Sequence, residues 1–415
     1  MSGAVAVKGE TIWAEAVGLA DAEAGREATP DDQYRIGSVT KTFTAVAVLR
    51  LRDDGRLSLD DGLAEHIPDC PLGGPTIRRL LSHASGLQRE IPGTTWETMV
   101  FPEREPMLAG LDKAEQVLGA GEHWHYSNLA FALLGEVVAN RSGMPYERYV
   151  EETILRPLGL ERTTWQAAEP AAHPYFVEPY SDTVRAEPDV DLAGGASAGQ
   201  LWSTTGDLLR WGGFFCDPDP DVLRPATVEE MHAPQIMVDP DRWTSGWGLG
   251  LMLARKGERV FAGHPGGMPG FRSAVVWSRK EHIVAAVLTN TTANVNPEEL
   301  VVELAEKTAD AYPAEPEPWR PGEPAPPELA GVLGRWWSEG TETVFSFRDG
   351  RLEARRADDP ADKEPAVFAP DGPNRFRVVS GRERGELLEI VRNERGDVAK
   401  LYWATYPFER APSTF

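Results

Sequence analysis

The chain has 415 residues, 41% of them hydrophobic and 26% charged, with a formal net charge of −23 at pH 7. That length exceeds one ordinary core and points to two or three globular domains. The acidic balance argues against nucleic acid or an anionic membrane as a partner. Cys70 and Cys216, with no C-x-x-C spacing, make neither a disulfide framework nor a zinc site and are expected to be buried thiols. Met1 to Gly9 lacks the charged leader and apolar run of a signal peptide. No stretch reaches the roughly 18 apolar residues of a membrane span, so the sequence as it stands reads as cytoplasmic, or as secreted if a leader was removed.

In chain order, residues 3–8 and 11–19 read as paired strands around Lys8-Gly9-Glu10. An acidic loop from Asp21 to Gln33 leads to Ile36-Gly37-Ser38-Val39-Thr40-Lys41, and the apolar run from Phe43 to Leu51 predicts a helix ending near Asp53-Asp54-Gly55. A short helix is predicted over 76–82. Residues 88–120, broken by Pro92, Pro102 and Pro106, predict a functional surface loop with some helix, or a lid. Tyr126-Ser127-Asn128 opens an apolar helix from about Leu129 to Asn140, and another runs from Tyr146 to Leu155, stopped by Pro157 and Gly159.

Helix patterns return at 205–215 and 227–232, and strands follow at 248–253, 260–262, 272–278 and 283–289. An amphipathic helix over 297–309 closes this first domain. Its terminal strands are expected to share one antiparallel sheet covered by helices. Seven prolines between Pro313 and Pro327 predict a stiff linker. Short alternating segments beyond it predict a small antiparallel barrel or sandwich. The expected domains are therefore 1–312 and 328–415, joined by 313–327.

The chemistry begins at Ser38 and Lys41. Three residues apart at a helix start, they lie one turn apart on the same face. Ser38 there also meets the outward-pointing first N–H groups, which favour developing negative charge. A serine hydroxyl is a weak nucleophile until a base takes its proton, which a neutral lysine can do and an arginine cannot. The chain holds eight lysines against 34 arginines, so a lysine here is a choice that carries information. By itself S-x-x-K also fits a capping serine beside a surface lysine.

Two later stretches bear on the choice. Tyr126-Ser127-Asn128 offers a phenol able to relay a proton and an amide for the lysine or substrate, although Ser and Asn are also favoured helix caps. His264-Pro265-Gly266-Gly267, after a short strand, offers glycines that let a backbone N–H approach a carbonyl and a histidine for substrate or leaving group. The same residues also read as a β turn.

Taken in this order, the three stretches resemble the serine β-lactamase and penicillin-binding-protein superfamily, for which S-x-x-K is a signature. The class C-like branch, with its D-amino-acid peptidases and family VIII-type carboxylesterases, is the closer likeness. Leu80-Leu81-Ser82-His83-Ala84-Ser85-Gly86-Leu87, Pro157-Leu158-Gly159-Leu160 and Ala193-Gly194-Gly195-Ala196 support it, and the likeness spans about residues 3–310.

The resemblance implies an α+β fold: an antiparallel sheet flanked by helices with a helical subdomain, followed by a lipocalin-like β-barrel. It implies Ser38 as nucleophile, Lys41 as its base and Tyr126 in the proton path. Asn128 would be a hydrogen-bonding partner, and the N–H groups of Ser38 and Gly267 an oxyanion hole beside Gly266 and His264. Where β-lactamases carry K-T-G, this chain has His264-Pro265-Gly266. A mostly neutral histidine there weakens recognition of a substrate carboxylate and favours ester or D-peptide substrates. The sequence as given begins almost at the first strand, so the N-terminal helix common in the family is expected to be absent or to have been removed.

The expected activity is hydrolysis of carboxylic esters or short peptides and amides through an acyl-enzyme, with Lys41 made neutral by burial. Acyl transfer or peptide cyclisation, weak β-lactamase activity and a binding-only protein are the alternatives. No metal or organic cofactor is implied, the partner is a small ester or peptide substrate, and the oligomeric state is left open. Two other patterns were weighed. Gly195-Ala196-Ser197-Ala198-Gly199 matches the nucleophile elbow but lacks the strand that must precede it. His123 and His125 have no further ligands nearby in sequence.

Overall fold

The computed structural model describes residues 1–181, 183–292, 295–313, 321–360 and 363–412. The chain divides into two compact units, Met1–Ala314 and Glu315–Phe415. Of the expected linker 313–327, residues 314–320 lie outside the described residues.

The first unit is built on an antiparallel sheet. Its strands are β1 (Ser2–Val7), β2 (Glu10–Ala16), β3 (Ile236–Met237), β4 (Ser245–Trp247), β5 (Met252–Lys256), β6 (Arg259–Met268), β7 (Phe271–Ser278) and β8 (Ile283–Thr289), in the order β2-β1-β8-β7-β6-β5-β4-β3. Both ends of the unit thus share one sheet, as expected, through the pairing of Ser2–Val7 with Ile283–Leu288.

β8 is buried along its whole length, and its side chains divide by the two-residue period of a strand. Ile283, Ala285 and Val287 pack with Val301, Val302 and Ala305 of the helix Pro297–Ala311. Val284, Ala286 and Leu288 join the larger core that holds Leu208, Trp211 and Phe215 of the helix Thr205–Cys216. Both faces are therefore apolar, which is why this strand reads as an unbroken hydrophobic run. Each fully buried Val, Leu or Phe there stabilises by about 1.5–3 kcal/mol over exposure. Gly212 permits the close approach: a Cβ on it would stand 2.3 Å from Val284.

The helical part packs α1 (Thr40–Asp53) against α2 (Asn128–Ser142), and both are buried on nearly every side. Cys70 and Cys216, expected to be buried, are half-buried free thiols. Burial pushes the Cys216 thiol up to about 12, so it is inert at neutral pH. Among the described residues no helix is long and apolar enough to cross a membrane.

The second unit is an antiparallel barrel. Among the described residues its strands are β9 (Gly334–Ser338), β10 (Thr341–Arg348), β11 (Arg351–Arg356), β12 (Ala366–Pro370), β13 (Arg375–Ser380), β14 (Leu387–Arg392), β15 (Val398–Trp403) and β16 (Tyr406–Phe408), each paired with the next. Trp337 and Glu409 exchange backbone hydrogen bonds at 2.8 and 2.9 Å, bringing the first strand to the last. Inward residues such as Trp336, Phe345, Leu352, Phe368 and Leu401 fill the interior.

Candidate active site

Ser38 lies in a single 3-10 turn, Gly37–Val39, just before α1. The residue at the N-cap of α1 is Val39, which makes no side-chain cap. Ser38 is therefore not spent on capping. The turn requires its glycine: Gly37 has φ +50°, and a Cβ there would stand 2.8 Å from both N and O of Gly267. The Ser38 turn and β6 are in this way pressed backbone to backbone.

β6 corrects one expectation. His264-Pro265-Gly266-Gly267, which also read as a turn, lies inside Arg259–Met268, with each residue paired to β7. β5 pairs with β6 only as far as Gly263. Beyond that point no strand pairs with this side of β6 among the described residues, and an edge without a ladder partner is where a proline without an N–H is tolerated in a sheet. Gly266 packs beneath the Ser38 turn, since a Cβ on it would stand 2.0 Å from the carbonyl oxygen of Ile36. Gly267 instead is exposed and lines a pocket together with Ser38 and Asn128.

Lys41 is fully buried. Its Nζ lies 3.1 Å from Ser38 Oγ, 2.7 Å from Asn128 Oδ1 and 2.7 Å from the carbonyl oxygen of Ala198. A neutral amine has two N–H bonds and one lone pair. The two oxygens of Asn128 and Ala198 take the N–H bonds, which leaves the lone pair facing the serine hydroxyl. Burial holds the Lys41 amine well below its ordinary value, with Glu90 opposing and Arg89 reinforcing the effect.

The Tyr126 ring centroid lies 4.9 Å from Lys41 Nζ, which places its phenol beside the Ser38–Lys41 pair. Burial raises the phenol above its ordinary value, with the neighbouring Ser38 hydroxyl and Arg89 opposing. The same enclosure thus pushes the lysine toward its neutral, basic form and the tyrosine toward its protonated form. Of the two, Lys41 is the group whose shift favours the proton-accepting form.

His264 is 1% exposed, and its ring lies between Tyr126 and Trp247, with centroids 6.2 and 5.3 Å away. Burial takes it down to about 3, with Lys41 lowering it further and a hydrogen bond to the Pro265 carbonyl opposing. It is neutral at pH 7 and carries no fixed positive charge for a substrate carboxylate.

Sequence reasoning missed two neighbours. Glu90, from the irregular 88–120 segment, accepts a 2.8 Å hydrogen bond from Asn128 Nδ2 through Oε1. His83 clamps the tyrosine from both sides. Its carbonyl accepts the N–H of His125 at 2.7 Å, its Nδ1 accepts the N–H of Ser127 at 3.1 Å, and its ring stacks on Tyr126 at 4.2 Å. The signal was present in the Ser82-His83-Ala84-Ser85-Gly86 phrase, but no spacing rule ties residue 83 to residue 126. Replacing His83 with leucine should lower kcat by about 100-fold through misplacement of Tyr126. His83→Asn, whose Oδ1 can accept from Ser127, should recover most of it. Steady-state kinetics with a melting curve checks this, and equal damage in both variants would count against the clamp.

Ser197, in the elbow-like pattern, is 2% exposed and donates to the Phe131 carbonyl at 2.8 Å. The segment Ala196–Gly199 is helical, and its contribution is the Ala198 carbonyl that holds Lys41. Ser127, weighed as a helix cap, is one: it accepts from the Ala130 N–H at 3.0 Å. Its neighbours Tyr126 and Asn128 reach the Ser38–Lys41 pair.

A buried lysine flanked by a half-buried serine and tyrosine, between an antiparallel sheet and a helical layer, defines a class, and the chain belongs to it: it is a member of the Beta-lactamase family, matched over residues 1–309. Residues 325–410 match a family described only as a domain of unknown function (DUF7586).

The chain is similar to the D-alanyl-D-alanine-carboxypeptidase/endopeptidase AmpH of Escherichia coli, 35% identical over 189 residues, 44% of this chain and 48% of AmpH. The chain spans about half the length of the curated relatives it matches. Among solved structures it is similar to SurE, with TM-score 0.64 and 26% identity, covering 99% of this chain and 94% of SurE. A D-stereospecific amidohydrolase from Streptomyces sp. has TM-score 0.62 and 26% identity, covering 73% and 92%.

Proposed function

We propose that the protein is a serine hydrolase that cleaves amide, peptide or ester bonds through an acyl-enzyme on Ser38. The observation that carries this reading is a lysine sealed from water with its Nζ 3.1 Å from the serine oxygen. The hydrolase names of AmpH and the Streptomyces amidohydrolase lend support for amide and D-configured substrates.

In this reading Ser38 Oγ gives its proton to Lys41 Nζ as it bonds to the carbonyl carbon. The N–H groups of Ser38 and Gly267 receive the oxyanion. Asn128 and Ala198 keep the amine oriented. As the bond to the leaving group breaks, the proton passes from Lys41 through the Tyr126 hydroxyl to the departing nitrogen or oxygen. Water then repeats the attack, losing its proton to the same base, and Ser38 recovers its own.

Hydrolysis of p-nitrophenyl acetate and of D- and L-alanine p-nitroanilide tests the proposal. Turnover that depends on Ser38 is the expected result. Absence of turnover with all three would count against hydrolysis, and a product formed only when an amine acceptor is added would redirect the reading to acyl transfer.

A further inference from the structure

We propose that a cleft on the sheet of the first unit, apart from Ser38, binds a small organic carboxylate with an aromatic body, its carboxylate on Arg279 and its ring against Trp243. The cleft shares no lining residue with the pocket at Ser38.

The cleft encloses about 560 Å³ at the β3–β7 end of the sheet, a volume suited to a small ligand. Cross-strand partners share a face, and here Met237 lies opposite Gly246, Gly246 opposite Leu253, Leu253 opposite Ala262 and Ala262 opposite Trp277. They make an apolar floor to which Gly246 adds no bulk. Trp277 is fixed by a 2.9 Å hydrogen bond from its Nε1 to His232 Nε2. Burial takes His232 down to about 4, so it is neutral there and serves as an acceptor.

Trp243 also lines the cleft, with its side chain 65% exposed. Its φ of +57° is left-handed, a conformation that is costly for a bulky residue. Asp239 holds it: the backbone carbonyl accepts the Trp243 N–H at 3.0 Å, and the carboxylate accepts those of Thr244 and Ser245 at 3.1 and 2.7 Å. The fold thus spends strain to keep a large indole in water, an arrangement that is useful where the indole meets something outside the fold.

The charge of the cleft runs against that of the chain. Net charge is −23 overall, yet Arg255, Arg259, Arg279 and Lys280 line the cleft against Glu258 and Glu281. Arg259 is occupied by Asp310 at 2.8 Å and Glu281 at 3.6 Å. Arg255, Arg279 and Lys280 have no ion-pair partner among the described residues, and Glu258 is exposed. Arg279 is half-buried, and its Nε is buried with no hydrogen-bond partner among them. A buried N–H without an acceptor is costly. A carboxylate accepting from the planar guanidinium fork removes that cost with matched geometry. A neutral ligand leaves the cations unpaired, and a cationic one is repelled.

The test is isothermal titration calorimetry of the full chain with p-phenylbenzoate and with p-phenylbenzyl alcohol, its neutral counterpart of similar shape. Wild type, Arg279→Met and Trp243→Ala are compared, with melting curves to show that each is folded. Wild type should bind the carboxylate saturably, with Kd below about 1 mM. Arg279→Met should weaken it by about ten-fold or more and leave the weaker binding of the alcohol unchanged. Trp243→Ala, at an exposed side chain, should weaken both ligands. Absence of saturable binding to wild type, equal binding of acid and alcohol, or acid binding undiminished in either variant would overturn the inference. None of these readouts depends on Ser38 being a nucleophile.

Discussion

Replacing Ser38 with alanine is expected to lower turnover by at least about 1,000-fold, the scale on which nucleophile removal acts in acyl-transfer enzymes. That corresponds to about 4 kcal/mol of transition-state stabilisation. The melting curve should be unchanged, because the Ser38 hydroxyl caps no helix and the serine sits half-buried in a turn held by backbone packing. Ester hydrolysis followed by absorbance, alongside thermal unfolding, reads both quantities. Undiminished hydrolysis in a folded Ser38→Ala protein would move the nucleophile elsewhere.

Lys41→Arg should be nearly as damaging, by about 100- to 10,000-fold, the range supplied by general base catalysis. Arginine retains the charge but cannot lose its proton, and its planar head does not match the two oxygens of Asn128 and Ala198. The pH profile carries an independent signature. Burial lowers the Lys41 value, and the neutral amine is the active form. Activity should therefore rise with pH along a limb set well below the ordinary lysine value, and not only in strong alkali. Glu90 opposes the lowering, so Glu90→Gln should move that limb further toward acid. Activity near wild type in Lys41→Arg at neutral pH would refute the base assignment.

Much of this site was legible because its first pair is local. Ser38 and Lys41 are separated by one turn, and periodicity alone brings them together. The strands at the two ends of the first unit were legible for a related reason. Runs such as Ala4-Val5-Ala6-Val7 and Ile283 to Leu288 are too apolar to face water on either side, and they pair.

What could not be read was long-range. The clamp of His83 on Tyr126 and the bond from Asn128 to Glu90 join residues 38 to 44 positions apart through an irregular segment. Such contacts are chosen by the tertiary fold and not by local propensity. His264 to Gly267 read as a turn because Pro and Gly usually punctuate strands. Beyond Gly263 the Ser38 turn and not a paired strand lies along this edge, which lets them remain in one, and no pattern in the residues announces where a partner strand stops. The need for Gly37 follows from Gly267, a residue 230 positions away, at the 2.8 Å approach.

The most direct test of the central claim is intact-protein mass spectrometry after exposure to a fluorophosphonate probe and, separately, to penicillin G, on wild type and Ser38→Ala. The account predicts a single covalent adduct with the fluorophosphonate on wild type, mapped to Ser38 by peptide analysis and absent in Ser38→Ala. With no fixed cation at His264 to hold its carboxylate, penicillin G should label more slowly. An adduct that persists in Ser38→Ala, or none on wild type with either compound, would contradict Ser38 as the nucleophile.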